Sequence, residues 1–207
     1  MGKNAMTNLS YGLFVLTAQK DGFDNGCIIN TVQQVTTEPN CITIAVNKSN
    51  LTHDMILETN KFNVSIISEK ADFELFKHFG FQSGRDVNKF EGFSDCGVSG
   101  NGLKYITKGT NAYLSAWVKE TVDLGTHTLF IAQVTYSEVL NDEPSATYSY
   151  YHSHIKPQPV DTGKRENGQV VWRCMICGYE YVGEELPDDF ICPLCKHPKS
   201  DFEKIVK

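Results

Sequence analysis

Apolar and polar residues alternate along most of the chain from Leu13 to about Val139, the period of a strand with one buried and one wet face. The clearest runs are Leu13-Phe14-Val15-Leu16-Thr17-Ala18, Cys41-Ile42-Thr43-Ile44-Ala45-Val46, Phe62-Asn63-Val64-Ser65-Ile66-Ile67, Tyr113-Leu114-Ser115-Ala116-Trp117-Val118 and Thr128-Leu129-Phe130-Ile131-Ala132-Gln133-Val134. Two segments read as helices instead. Thr52 to about Thr59 is short and entered through a polar cap region; Ser68 to Phe79 is longer, with Ser68 placed to cap it and Gly80 to stop it. The pattern predicts a mainly β domain, an antiparallel sheet or barrel carrying a few helices.

Beyond Tyr148-Ser149-Tyr150-Tyr151-His152 the alternation stops. Ile155 to Gln169 holds two prolines and two glycines among mixed charges, and reads as an extended linker. The remaining tail is turn-rich, with two cysteine hairpins separated by polar residues and a few aromatics. It is too short to fold on an apolar core alone, and a bound metal would supply the missing stability. The expected organisation is a domain at 1–156, a linker at 157–169 and a small domain at 170–207.

A formal net charge of −6 argues against general binding to a phosphate backbone, which needs a concentrated basic surface. An acidic surface suits solubility or docking to a basic redox partner. No apolar run approaches the length of a membrane span, and Met1 to Ser10 lacks the basic start and apolar centre of a signal peptide, so a soluble, cytoplasmic protein is expected. Seven cysteines are an odd number, and four of them form two Cys-x2-Cys pairs, which favours reduced thiols and a metal over a disulfide framework.

Cys174-Met175-Ile176-Cys177 and Cys192-Pro193-Leu194-Cys195 each place two sulfurs on one tight turn. Two such turns facing one another build a tetrahedral site of four thiolates. That geometry suits both zinc and iron, so the spacing establishes a metal at Cys174, Cys177, Cys192 and Cys195 and leaves its identity open. The surrounding text narrows the choice. Cys-x2-Cys-Gly178-Tyr179-Glu180-Tyr181, Leu186-Pro187-Asp188-Asp189-Phe190-Ile191 before the second pair, and His197-Pro198-Lys199-Ser200-Asp201-Phe202 after it resemble rubredoxin. The resemblance implies one iron, with Trp172, Tyr179, Tyr181, Phe190 and Phe202 as the aromatic cluster that shields it. Only fourteen residues separate the pairs, so the tail is similar to the shortened domain appended to rubrerythrins.

In the first domain, Leu16-Thr17-Ala18, Asp24-Asn25-Gly26-Cys27-Ile28-Ile29-Asn30-Thr31, Val35-Thr36-Thr37-Glu38-Pro39, Asn47-Lys48-Ser49-Asn50-Leu51-Thr52-His53 and Phe81-Gln82-Ser83-Gly84-Arg85-Asp86-Val87-Asn88-Lys89-Phe90, with the closing Tyr150-Tyr151-His152, resemble the flavin reductase-like FMN-binding split-barrel family. Physical chemistry supports an anion site within these pieces. Asn47, Lys48, Ser49, Asn50 and Thr52 bring a cation and hydroxyls to the entrance of the first helix, with no acid close in sequence to compete for a phosphate. A plain helix cap on a solvated loop is the alternative.

The resemblance further implies that Asn25, Gly26, Cys27, Ile28, Ile29, Asn30 and Thr31 run beside the isoalloxazine ring. Cys27 would lie near the flavin, or be a buried cysteine without redox role. Ser83, Gly84, Arg85 and Lys89 add donors to the flavin or its phosphate, or form a solvated loop. Gly125-Thr126-His127 stands where the family has Gly-Asp-His, which makes His127 the candidate contact for NADH or NADPH; a strand-end histidine satisfied by a neighbour is the alternative.

A hydride donor delivers two electrons and an iron tetrathiolate accepts one, so a flavin between them has a chemical purpose. The domain order resembles the high-molecular-weight rubredoxins of anaerobes. That implies an enzyme passing electrons from NAD(P)H through FMN and iron to an acceptor such as a flavodiiron protein that reduces oxygen or nitric oxide, working as a homodimer. Two other readings stand beside it: a carrier reduced by another reductase, and a flavin-binding module with a structural zinc tail.

Overall fold

The computed structural model describes residues 5–157, 170–175, 178–193 and 198–206. Two compact units divide the chain, Met1–Ile155 and Lys156–Lys207. The first is built on one seven-stranded antiparallel sheet. Its strands are β1 (Phe14–Lys20), β2 (Phe23–Ile29), β3 (Gln33–Thr37), β4 (Asn40–Asn47), β5 (Lys61–Ile67), β8 (Thr110–Asp123) and β9 (His127–Val139), in the order β2-β1-β5-β8-β9-β4-β3. A small hairpin, β6 (Cys96–Val98) with β7 (Lys104–Ile106), forms a separate two-stranded sheet that bonds to β1 and β5 through Thr17 and Ser65.

Alternation places one set of side chains inward. Leu16 and Ala18 of β1, Ile29 of β2, Ile42, Ile44 and Val46 of β4, Phe62 and Val64 of β5, and Phe130 and Ala132 of β9 share one core with Met55 and Ile56 of helix α1 (Leu51–Thr59). Strands from both ends of the sheet order meet in this cluster, so the sheet curls around it. Burial of each of the larger aliphatic or aromatic side chains among them contributes about 1.5–3 kcal/mol. The opposite faces of β1 and β5 are buried as well, because Val15 and Ile67 pack with Leu75, Phe76 and Phe79 of helix α2 (Phe73–Gly80) in a second cluster. Strand β2 turns back from β1 through Asp21 and Gly22, both at positive φ, as a two-residue antiparallel turn requires.

Three features depart from the sequence expectation. Helix α2 begins at Phe73 and not at Ser68, because Asp72 is the residue whose side chain accepts from the Leu75 amide, at 3.1 Å, while Ser68 bridges to Ser145. Asp72→Ala should therefore cost about 1 kcal/mol in a urea melt, and Ser68→Ala should leave the helix start intact. Strands β2 and β3 lie where no strand was expected; β3 is exposed along its whole length, so it carries no inward apolar pattern to read. The closing tyrosine segment is helical, a short turn at Tyr148–Tyr150 running into a wider one at Tyr151–Ile155.

The second unit contains a three-stranded antiparallel sheet, β10 (Val170–Cys174), β11 (Glu180–Val182) and β12 (Phe202–Val206), in the order β11-β10-β12. Residues 158–169, which make up nearly all of the expected linker, lie outside the described residues, as do Cys177 and Cys195. Among the described residues no helix is long and apolar enough to cross a membrane.

Candidate functional site

Strand β4 delivers the chain into α1 through a tight polar turn. Asn47 Oδ1 accepts from both the amide and the hydroxyl of Ser49 at 2.9 Å, and the Asn50 amide donates to the Asn47 carbonyl at 3.0 Å. Asn50 occupies the N-cap position, yet its side chain makes no capping hydrogen bond. The first turn of α1 therefore lacks the side-chain acceptor that usually covers its amides, and the helix dipole adds partial positive charge there.

Two cations flank this helix start, and each is held by a carboxylate. Lys48 Nζ donates to Asp123 Oδ1 at 2.7 Å, and Arg85 donates to Asp54 Oδ2 at 2.7 Å. The expectation that no acid competes near Lys48 is thus corrected: Asp123 arrives from 75 positions away at the end of β8, and Asp54 lies in the first turn of α1 itself. The Lys48 and Asp123 side chains are 38% and 72% exposed, so solvent screens their pair.

The same turn touches the β8–β9 hairpin. The Lys48 amide donates to the Thr126 carbonyl at 3.0 Å, and Asn47 is the register partner of His127. His127 is half-buried, with Nδ1 2.9 Å from Thr126 Oγ1. Lys48, Ser49, Asn50 and His127 consequently share one corner of the fold.

A hydrogen-bonded chain that sequence reasoning did not find stiffens that corner. Asp54 Oδ1 lies 2.9 Å from His53 Nδ1, and His53 Nε2 lies 2.8 Å from Thr128 Oγ1. It joins Arg85, α1 and the first turn of β9. The hydrogen bond from His53, and then that from Arg85, hold the Asp54 carboxyl below its ordinary range. A carboxyl depressed by folding contributes stability fully present above its unfolded pKa, near 3.9, and lost as pH falls through the lower folded value. Asp54→Asn should accordingly lower the thermal midpoint at pH 6, and the gap from the unmodified protein should close as pH falls below the unfolded value and through the lower folded one.

Strand β2 forms the floor. Asn25 is 2% exposed; its Nδ2 donates to Thr52 Oγ1 at 3.0 Å, while its Oδ1 is buried without a hydrogen-bond partner. Gly84 packs directly on that carboxamide, since a Cβ at Gly84 would stand 2.6 Å from Asn25 Cγ. Ser83 Oγ accepts from the Arg85 amide at 3.1 Å and shapes the same loop. Gly26 has backbone and ring neighbours at 3.1 Å from any added Cβ, which keeps β2 flat against Phe79.

Cys27 is buried, and burial pushes its thiol up, against the opposing effects of Thr52 and Lys89. Ile28 covers Gly80, and Ile29 joins the main core. Asn30 is half-buried just past the strand, and the Thr31 hydroxyl exchanges two hydrogen bonds with the backbone of Ala45. Lys89 does not stand on a solvated loop: it is 3% exposed, and Nζ donates to the carbonyls of Gly26 and Phe79, both at 2.9 Å.

In the second unit Cys174 and Cys192 are fully buried. The Gly178 amide donates to the Cys174 carbonyl at 2.8 Å with Gly178 at φ +76°, and Ile191 bridges to Pro198. Phe190 lies against Tyr179, Tyr181 and Phe202, with centroids 6.4, 5.0 and 5.4 Å away. Trp172 instead faces Lys204, whose ammonium sits 5.6 Å from its ring. Burial, and then Cys192, push the Tyr179 phenol up. Two buried thiols in a small unit with a packed aromatic cluster fit a thiolate metal centre. An uncapped helix start between two cations, above a buried acceptor lacking a partner, fits a phosphorylated polar ligand.

Residues 6–158 match the flavin reductase like domain family, and residues 172–203 match the rubrerythrin, rubredoxin-like domain. The chain is 36% identical to the high molecular weight rubredoxin of Moorella thermoacetica, over 99% of this chain and 100% of that protein. It is 35% identical to the ferric-chelate reductase (NAD(P)H) of Archaeoglobus fulgidus, over 73% of this chain and 89% of that one. The NADH:FAD oxidoreductase of Streptomyces globisporus, solved with NAD and FAD fragments, superposes with a TM-score of 0.63 at 19% identity, over 77% of this chain and 92% of that one. The chain belongs to the flavin reductase-like family and carries a C-terminal rubredoxin-like domain, the domain pair of high molecular weight rubredoxin.

Proposed function

We propose that the protein oxidises NADH or NADPH through a bound FMN and passes the electrons through one rubredoxin-type iron to a separate redox protein, such as a flavodiiron oxygen or nitric oxide reductase. The observation that carries the flavin half is the convergence of β2, the uncapped start of α1, the 83–85 loop and the His127 hairpin on one corner of the first unit. A flavin held there would supply the conversion of a two-electron hydride into single electrons, the form that a tetrathiolate iron would take up.

The chain's own residues supply binding and orientation. Lys48, Ser49, Asn50 and Thr52 hold the phosphate at the start of α1, with Lys48 exchanging Asp123 for it. Asn25 to Thr31 flank the ring, and Asn25 Oδ1 accepts a hydrogen bond from its polar edge. Ser83 and Arg85 close that side, anchored through Asp54. His127, braced by Thr126 and the β4 pairing, orients the nicotinamide. Cys174, Cys177, Cys192 and Cys195 ligate the iron while Tyr179, Tyr181, Phe190 and Phe202 exclude water. Residues 157–169 link the domains, and two chains work as a homodimer.

Composition analysis of protein purified from iron-replete cells tests the assignment of groups. One FMN and one iron per chain are expected. Zinc in place of iron, or FAD retained in preference to FMN, would refute it.

A further inference from the structure

Lys89 is a buried cation that forms no ion pair with an acid among the described residues. Its side chain follows the 83–88 loop inward, and its ammonium bridges the Gly26 carbonyl of β2 to the Phe79 carbonyl in the last turn of α2. The Phe79 contact is the place where a helix dipole favours positive charge. Its one electrostatic neighbour among the described residues is the Cys27 thiol. His78 approaches through Nε2, which lies 2.6 Å from the Lys89 carbonyl and not from the ammonium. Phe90 and Phe93 pack beside Phe79, so the surroundings are aromatic and dry.

A lysine solvated only by two carbonyls costs free energy, because burial disfavours the charged form. Its bonds account for where β2 lies but not for a full charge, since a neutral donor such as an amide makes the same two bonds. We propose that Lys89 is a positioning and potential-setting residue: it fixes β2 at Gly26 and holds a positive charge that favours the reduced flavin over the oxidised one. This rests on the flavin-binding reading of β2 given above. Transfer of a hydride from NAD(P)H turns the neutral oxidised ring into a reduced ring with one negative charge, and the nicotinamide leaves as its oxidised cation. A fixed cation in a low-dielectric setting near β2 stabilises the product of that step and not its reactant. The thiol of Cys27 takes up none of the charge while burial keeps it protonated.

Lys89→Gln tests the charge, since the carboxamide keeps an N–H donor on a side chain of similar length but carries no charge. Spectroelectrochemical titration of the holoprotein should move the flavin midpoint to a more negative potential, with reduced-flavin affinity falling about tenfold or more and oxidised-flavin affinity nearly unchanged. An unchanged midpoint overturns the inference, as does an equal loss of both affinities.

If the variant does not fold, the unmodified holoprotein answers the question by reciprocity. The Lys89 Cε resonance should titrate at a higher pH with reduced than with oxidised flavin, and identical titrations overturn the proposal. Protein that binds no flavin refutes the flavin reading and this inference with it. Flavin binding with an unmoved midpoint refutes this inference alone.

Discussion

Serine at position 174 is expected to remove the ferric-thiolate absorption and unfold the second unit while sparing the first. Cys174 is fully buried at the end of β10, and its amide is bonded to the Tyr179 carbonyl at 2.8 Å, so its sulfur sits where the small sheet meets the metal turn. The apolar content of that unit is slight: Val171, Leu186 and Phe202 are its buried large residues apart from the cysteines, among the described residues. Metal binding in small thiolate domains contributes about 10–16 kcal/mol, the whole stability of an ordinary domain. Metal analysis should find iron lost, and hydrogen exchange should find residues 170–206 unprotected. The first unit has its own core, so NAD(P)H-driven reduction of a small dye should persist. Cys41→Ser is the control, since Cys41 lies partly exposed on β4 and pairs with Gln133; it should leave both bands intact. A Cys174→Ser protein that keeps its iron and its protected amides would contradict the four-thiolate assignment.

The second large effect belongs to Gly84→Ala. The added methyl group overlaps the Asn25 carboxamide, which is buried and cannot swing into solvent. Either Asn25 gives up its bond to Thr52 or the 83–85 loop lifts and strains the Arg85–Asp54 contact. A broken buried hydrogen bond together with overpacking costs about 2–4 kcal/mol. Since both outcomes disturb the proposed flavin floor, FMN affinity should fall about a hundredfold or more, the factor that about 2.8 kcal/mol represents. Fluorescence titration of FMN reads it, and ferric-thiolate absorption should be untouched. Wild-type FMN affinity in this variant would show that the flavin does not rest on Asn25.

Much of this was legible in sequence where pattern and chemistry coincide. Ile42, Ile44 and Val46 alternate because β4 has one wet face, and that periodicity identifies the strand. The cysteine pairs were legible because metal ligation tolerates little variation in spacing. The polar entrance of the first helix was equally visible, and the turn at Asn47 to Asn50 leads into α1 there.

What escaped depends on contacts distant in sequence. Asp123 reads as a turn residue beside Gly125, and only the β4–β9 pairing brings it to Lys48. His53 and Asp54 look like ordinary first-turn residues until Thr128 and Arg85 close on them. Lys89 sits in a polar stretch, Arg85-Asp86-Val87-Asn88-Lys89, that suggests solvent, and its burial follows from the Phe79 and Gly26 carbonyls that need a donor. The β2 strand was hidden because Asp24-Asn25-Gly26 breaks the apolar period at the place where the site needs polar and small residues.

Anaerobic rapid mixing of the iron-replete holoprotein with NADH, and separately with NADPH, tests the central claim most directly. The flavin band should bleach first and the ferric-thiolate band after it, with one of the two nucleotides sufficient and no other reductase present. Oxidised bands that persist with both nucleotides would contradict direct nicotinamide oxidation, and a bleached flavin beside an unchanged ferric band would contradict passage of electrons from flavin to iron.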